Sequence, residues 1–523
     1  VVRGRLRASV HRPAGVTEVV GDIGPGECVG EMALLSEAPR SATVKAVRDA
    51  ELLRLPKPAF DRLVGSHPEC MLRLARAIVG RLQRTLGARP EPRGERMLAL
   101  VPASPDVPLA AFALSLQSQL ATMVRAAILD ATAEARQAIA RLGADPDVLM
   151  MVCDTTLTAW TAQCLRQSDD VVVVANAAGD VRPGPLEQEA WASARNRGAG
   201  CHLVLLQPPG GSPRGTEAWL AVRPGVQHHH VRPGEASDHA RLARLLSGRA
   251  VGLALSGGGA RGFAHIGVIR AIRDAGVPVD LVAGTSMGAI VGALCAVGQP
   301  SDEMLEQCRA WTRAGPWSDF TLPIAAIVRG RRIRRATLRL LGDGRIEDLW
   351  LPFACVTANL TRSVADTHTS GPLATLVLAS SSVPGLAPPV NYQGDVHVDG
   401  GVIDNLPVGA LRAMGAGKVI AVDVGTEIRV NAPPRFEECP SGWGLLWDRI
   451  TRRPGRALPV FVSVTRALTL ASDDRVRASC RDADLTLRPP LDGCASTDFG
   501  DIDRIAQLGF RYASQQLAAW TAG

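Results

Sequence analysis

Apolar residues fall into three textures along the chain. Residues 1–88 hold short β-like runs and then a helical pattern, in which Leu74, Ala75, Ile78, Val79 and Leu82 are spaced to mark one buried face. Residues 95–248 alternate strands with helices. Met97–Val101, Val148–Cys153, Val171–Ala175 and His202–Leu206 read as strands, and Leu109–Ala127 is helical in pattern. That alternation predicts a parallel sheet with helices on its faces. From residue 249 another α/β unit begins, with the strand Val251–Leu255 running into a glycine loop and Asp501–Trp520 forming a terminal helix. The stretch 88–94 reads as a linker, and no internal repeat is visible.

Composition sharpens this picture only in places. A chain of 523 residues predicts two to four domains, and 46% hydrophobic with 21% charged residues is globular. Collagen-like, low-complexity and disulfide-scaffold classes are excluded. The net charge is +7, and three of the 58 basic residues are lysines, leaving 55 arginines. This bias fits a GC-rich genome better than a function. It permits contact with anionic membranes, and nothing resembles a basic nucleic-acid tail. The 11 cysteines are scattered without a C-x-x-C pair, so a metal cluster is not expected and a reduced cytoplasmic compartment is. No run of 18 apolar residues suggests a spanning helix. The start, Val1-Val2-Arg3-Gly4-Arg5, is no signal peptide and reads like the middle of a strand. The chain is therefore expected to be a fragment, or to begin at an unusual start codon.

Three motifs carry chemistry. Gly284-Thr285-Ser286-Met287-Gly288 follows the strand Val279–Ala283 and opens the helix Ala289–Val297. This is the strand–turn–helix setting of a nucleophile elbow, in which Ser286 Oγ projects above the sheet; by itself the motif is also an ordinary turn. Ser256-Gly257-Gly258-Gly259-Ala260-Arg261-Gly262 again lies between a strand and a helix. Its bare amides suit an anion. Gly257, Gly259 and Gly262 also satisfy G-x-G-x-x-G, but Asp280, near the ribose-binding spacing, opens the next strand instead of ending it. Beside an elbow the loop reads better as an oxyanion hole. Val398-Asp399-Gly400-Gly401 follows the strand Asp395–Val398. A tight turn explains it alone. A hydrolytic serine needs a base, and Asp399, at a strand end followed by two glycines, is a better partner than His265, His368 or His397, none of which sits in a triad context.

Together these elements resemble the patatin-like phospholipase family. Its hallmarks are a G-G-G-x-R-G oxyanion loop, a G-x-S-x-G elbow and a D-G-G aspartate forming a Ser–Asp dyad. Ala264-His265-Ile266-Gly267, Ala379-Ser380-Ser381-Ser382-Val383-Pro384-Gly385 and Asn405-Leu406-Pro407 match as well. The resemblance implies Ser286 as nucleophile and Asp399 as base. It draws the oxyanion hole from Gly257, Gly258, Gly259, Ala260, Arg261 and Gly262, with Gly284 and Gly288 shaping the elbow. Arg261 either contacts a lipid phosphate or braces the loop, and its fork geometry favours bracing.

Arg166-Gln167-Ser168-Asp169, Trp219-Leu220, Arg241–Gly248, Val328–Arg332, Ile346–Trp350 and Leu487–Pro490 look like the neuropathy target esterase branch. Those are lysophospholipases with cyclic-nucleotide-binding-like domains ahead of the patatin domain. Asp404 departs from that branch's usual asparagine, and Ala387 from a common aromatic.

Gly26–Leu35 and Pro39–Val44 resemble the phosphate cassette of cyclic-nucleotide-binding domains. The resemblance would place the ribose on Glu31 and the cyclic phosphate on Arg40. Strands expected before Val1 are missing, so a degenerate structural or dimerising domain is the alternative. Asp154-Thr155-Thr156 and Ser168–Val174 resemble late strands of a ParA/MinD-like fold, but Val101 leads into Pro102–Asp106 without a glycine loop or lysine. The segment reads as a non-catalytic spacer. The row Arg329, Arg331, Arg332, Arg334, Arg335 and Arg339 is either a solvated helix face or a contact for anionic headgroups. His228, His229 and His230 are consecutive and cannot all face one metal in a strand.

The implied fold class is α/β: a patatin-type three-layer α/β/α hydrolase domain, preceded by a Rossmann-like α/β domain and a partial β-roll. The expected limits are 1–88, 95–248 and 249–430, with a C-terminal extension at 431–523. The implied function is a serine esterase cleaving carboxylic esters of phospholipids or lysophospholipids through an acyl-enzyme. No cofactor or metal is expected, and a cyclic nucleotide enters only as a regulator. The expected site of action is the cytoplasm or the inner face of the membrane, without nucleic acid; the oligomeric state is not legible. A carboxylesterase or triacylglycerol lipase is the nearest alternative, and a non-enzymatic nucleotide-responsive binding protein the more distant one.

Overall fold

The computed structural model describes residues 1–11, 17–31, 33, 39–40, 42–86, 96–132, 146–425, 441–451 and 460–521. The linker at 88–94, the cassette positions Met32, Leu34, Leu35 and Ser41, and the 430/431 boundary lie outside the described residues. The chain divides into two compact units. One is Val1–Pro213 with Ala218–Gly248, and the other is Arg214–Glu217 with Arg249–Gly523.

In the first unit, β1 (Arg3–His11), β2 (Thr17–Ile23) and β3 (Thr43–Glu51) form an antiparallel sheet of order β2-β1-β3. Leu6, Ile23 and Val47 are buried in it. The helix Glu69–Leu86 follows. The face expected to be buried there is only half covered. Leu74 and Ile78 are half-buried, while Val79 is 54% exposed. The helix meets chiefly the short helix Lys57–Ser66, which itself buries no residue, so no core forms beneath the stripe among the described residues.

A six-stranded parallel sheet follows, from β4 (Arg96–Pro102), β5 (Ala126–Leu129), β6 (Val148–Val152), β7 (Asp170–Asn176), β8 (Gly200–Leu206) and β9 (Gln227–Val231). Its order is β5-β6-β4-β7-β8-β9. The expected helix Leu109–Ala127 is corrected here. It stops at Leu120, and Ala126–Leu129 is an edge strand on β6. Asp147 fixes the change of direction, because its carboxylate accepts the Arg125 backbone N–H at 3.0 Å and the Arg125 guanidinium at 3.1 Å.

Two buried acids hold this unit together. Glu187 takes a two-pronged contact from Arg223, with both side chains essentially inaccessible, and accepts the Trp191 indole N–H at 2.8 Å. Asp169 receives Arg5 of β1 at 3.3 Å and Arg48 of β3 at 3.7 Å, and accepts the Met97 N–H at 2.9 Å. Burial raises the Asp169 carboxyl above its ordinary value despite these arginines.

The second unit is built on an eight-stranded mixed sheet. Its strands are β10 (Val251–Leu255), β11 (Leu281–Thr285), β12 (Phe353–Asn359), β13 (Val364–His368), β14 (Val390–Tyr392), β15 (Asp395–Asp399), β16 (Lys418–Val422) and β17 (Leu485–Leu487). The order is β14-β15-β12-β11-β10-β16-β17, with β13 also on β12. β10, β11 and β12 are buried along their whole length, which is why β10 reads as an unbroken apolar run, whereas Thr357 and Asn359 interrupt that pattern in β12. Helices Ala264–Asp274, Met287–Val297 and Ile502–Thr521 share the core on one side, and Val408–Ala413 packs on β10, β11 and β16.

The register along β12 positions the site. β11 runs parallel to β12 and ends with Thr285 opposite Val356. β15 arrives antiparallel and ends with Asp399 opposite Thr357. Consecutive residues of one strand thus bring two chain ends to the same point.

Candidate active site

Ser286 sits between the last residue of β11 and the helix Met287–Val297. Its φ of 55° and ψ of −122° lie in a region that a side chain adopts only under constraint. The constraint is close packing. A Cβ on Gly284 would stand 2.3 Å from the Gly288 carbonyl oxygen, and one on Gly288 would stand 2.2 Å from that of Leu255. Only glycine fits at either end of the turn. Ser380 secures it, accepting the Ser286 N–H at 2.9 Å while donating to the Val356 carbonyl at 2.6 Å.

The Ser286 hydroxyl donates to Asp399 Oδ2 at 2.6 Å. The other oxygen, Oδ1, accepts the Gly401 N–H at 2.8 Å, and the Asp399 N–H donates to the Ser382 carbonyl at 2.9 Å. Asp399 is 6% exposed. Burial pushes its carboxyl up to about 6, against the pull of the Ser286 hydroxyl and the Gly401 amide. A base of that strength takes a proton near neutral pH and gives it back readily.

The glycine loop passes beside this pair into a turn at Gly259–Phe263 and the helix Ala264–Asp274. Its six residues play different parts. The Gly257 N–H is occupied, donating to Asn405 Oδ1 at 3.0 Å, and the Asn405 amide returns a bond to the Gly257 carbonyl at 3.3 Å. The Ala260 N–H is also occupied, by the Ser496 carbonyl at 2.9 Å. The Arg261 Nε donates to the Cys494 carbonyl at 2.6 Å, so this side chain braces the loop. Gly262 packs on Met287. The amides of Gly258 and Gly259 meet no acceptor among the described residues.

Asp280 settles the rival dinucleotide reading. Its carboxylate accepts the Val251 N–H at 2.9 Å, at the start of β10, whereas the loop leaves from the end of that strand. It cannot reach a ribose held at the loop.

The histidines are engaged elsewhere. His265 bonds the Ser256 carbonyl at 2.8 Å, and burial pushes its imidazole down to about 4, so it is neutral. His368 and His397 both meet Thr357 Oγ1, at 2.8 and 2.9 Å. Together with Asp366 they place three ligand-type atoms within 4.8 Å of one another. However, Asp366 is already held by Arg362 and Asn359, so the set is satisfied without an ion. His229 stacks on His202, while His228 and His230 meet edge to face, so the three do not converge.

Asn405, Ser380 and the carbonyls of Cys494 and Ser496 were not assigned roles by the sequence reading. The first two lie in motifs it singled out. Asp404 contributes its carbonyl to the Thr285 hydroxyl at 3.0 Å, and burial raises its carboxyl. Ala387 is buried and lines a cavity of about 380 Å³ beside Ser382. In the first unit, Glu31 is 6% exposed, and Arg40 donates to the Gly30 carbonyl at 2.9 Å.

Residues 253–412 match the family model for patatin-like phospholipases. This is a patatin-like domain. Residues 1–67 match the cyclic nucleotide-binding domain, and 137–236 the Neuropathy Target Esterase family P-loop like domain. The chain is similar along its whole length to Patatin-like phospholipase domain-containing protein 6 of Homo sapiens, at 33% identity and covering 43% of that protein. It is 31% identical to Neuropathy target esterase sws of Drosophila melanogaster, over 98% of this chain and 40% of that one. Lysophospholipase NTE1 of Mycosarcoma maydis is 32% identical, over all of this chain and 33% of that one. The chain thus spans less than half the length of these curated relatives. Among the described residues no helix is long and apolar enough to cross a membrane.

Proposed function

We propose that the chain is a serine esterase that cleaves the carboxylic ester bond of phospholipids or lysophospholipids. The observation that carries this reading is the 2.6 Å contact of Ser286 Oγ with a buried Asp399 whose carboxyl titrates at about 6. Ser286 Oγ bonds to the ester carbonyl carbon while its proton passes to Asp399. The carbonyl π electrons move onto oxygen, where the Gly258 and Gly259 amides and the N-terminus of helix Met287–Val297 receive the charge. On collapse the carbon–oxygen bond to the alcohol breaks, and the alkoxide takes the proton from Asp399. Water then adds to the acyl carbon while its proton passes to Asp399; on collapse the bond from that carbon to Ser286 Oγ breaks, Oγ takes the proton back from Asp399, and the fatty acid leaves. Similarity to proteins named as lysophospholipases supports a lipid ester over a small soluble one.

Fatty-acid release from lysophosphatidylcholine, compared between wild type and Ser286→Ala, tests the reading. Release by wild type alone is expected. If neither releases fatty acid but wild type alone turns over p-nitrophenyl butyrate, the dyad stands and the substrate class falls. Inactivity on both esters would leave a binding protein on a hydrolase fold.

A further inference from the structure

We propose that the hairpin spanning residues 319–329, with the arginine row that follows it, docks the domain on an anionic lipid surface. Phe320 pairs with Val328 across an antiparallel bridge, closed by Thr321 N–H to the Ile327 carbonyl at 3.0 Å and Arg329 N–H to the Asp319 carbonyl at 2.9 Å. Ala326 and Val328 anchor its returning arm in the core. The outward residues are large and apolar, with Phe320 72%, Leu322 75% and Ile324 87% exposed. Such a projecting tip in water points to a non-aqueous partner.

Charge identifies that partner. On the helix Arg331–Leu341, residues Arg331, Arg334, Arg335, Leu338 and Arg339 are exposed, while Ile333, Ala336 and Thr337 are buried. Arg329, Arg331, Arg334, Arg335 and Arg339 have no carboxylate partner among the described residues. The nearby acid, Asp319, accepts the Arg332 backbone N–H at 3.0 Å and pairs with no arginine side chain among the described residues. An apolar tip beside an uncompensated cationic face matches acyl chains below anionic headgroups.

The surface is also tied to the dyad. Ile327 and Val328 donate to the carbonyls of Gly385 and Leu386, each at 3.0 Å. This is the segment whose Ser382 carbonyl holds Asp399. Arg329, Arg331 and Arg334 share the cavity of about 380 Å³ with Leu378, Ser382 and Ala387. Docking would present that opening to the bilayer. Its purpose rests on the lipid-ester reading of Ser286, but membrane binding is readable without turnover.

The test is vesicle co-sedimentation of the full chain, using phosphatidylcholine alone or mixed with phosphatidylserine. Wild type and Ser286→Ala are expected to bind the mixed vesicles equally, whatever becomes of the esterase assignment. Leu322→Ser with Ile324→Ser should weaken that binding about tenfold. Arg335→Gln with Arg339→Gln should do the same on mixed vesicles only, as should added salt. The tip and arginine variants, unlike Ser286→Ala, should keep wild-type turnover of p-nitrophenyl butyrate in solution. Absence of wild-type binding, equal binding by the variants, or loss of the soluble activity would each overturn the proposal. So would a wild-type dimer that Leu322→Ser with Ile324→Ser dissociates, which would assign the tip to a second copy of the chain.

Discussion

The chain contains two sheets with parallel cores, and their comparison locates the chemistry. In each, a buried first strand leads through a loop into a helix: β4 toward Leu109–Leu120, β10 toward Ala264–Asp274. The polar groups near the strand ends differ. In the first sheet they satisfy one another. Asp154 takes the Thr158 hydroxyl, Asp106 takes the Asn176 amide at 2.6 Å, and Glu187 takes Arg223. In the second, the Ser286 hydroxyl and the Asp399 carboxylate pair with each other, beside a loop whose Gly258 and Gly259 amides have no acceptor among the described residues. Architecture is shared, and the two sheets differ in what their loops carry.

The sharpest break of this contrast is at the dyad. Ser286→Ala should lower kcat roughly 10⁴–10⁶-fold with little change in melting. Asp399→Asn should do similar damage and also stabilise the fold at neutral pH. The folded carboxyl, near 6, lies above its ordinary 3.8, so ionising it in place opposes folding by up to ~3 kcal/mol. Stability from this group is fully present below pH 3.8 and lost as pH rises through 6. The gain in Asp399→Asn should therefore appear at pH 7–8 and vanish near pH 4, as read by thermal melts at both pH values.

Asn405→Ala should lower kcat about 10–100-fold while leaving KM nearly unchanged, because it frees the Gly257 end of the loop without removing a donor. The kcat/KM profile of wild type should fall about tenfold per pH unit below 6, as Asp399 becomes protonated. The first sheet should respond in the opposite sense. Glu187→Gln should destabilise its unit by about 3–5 kcal/mol, since it strands the buried Arg223, yet leave the specific activity of folded protein unchanged. Equal activity losses from Glu187→Gln and Asn405→Ala would erase the distinction between the sheets.

How much of this was legible depended on how local each constraint is. The elbow was readable because Gly284 and Gly288 are demanded by atoms within the turn and by the adjacent strand β10. β10 and the helix after Ser286 were readable as unbroken apolar runs. Ala126–Leu129 was not, because four apolar residues fit either a helix or an edge strand until Asp147 fixes the turn. The braces on the oxyanion loop were hidden for another reason. Two of them are backbone carbonyls, of Cys494 and Ser496, more than 230 residues from the loop, and a carbonyl leaves no mark in the sequence. The Ser286–Asp399 pair is implied by the resemblance in motif order, whereas its geometry comes from register on β12.

That register also says when the site comes into being. Ser286 and Asp399 are 113 residues apart, and they meet only after β12 has taken β11 on its first half and β15 on its second. A slip of β15 by one residue would turn the Asp399 side chain to the opposite face of the sheet. Long-range pairings of this kind form slowly. During refolding, hydrolytic activity should thus lag behind the return of helical signal, and enzyme turnover would serve as a clock for the last strand to find its place.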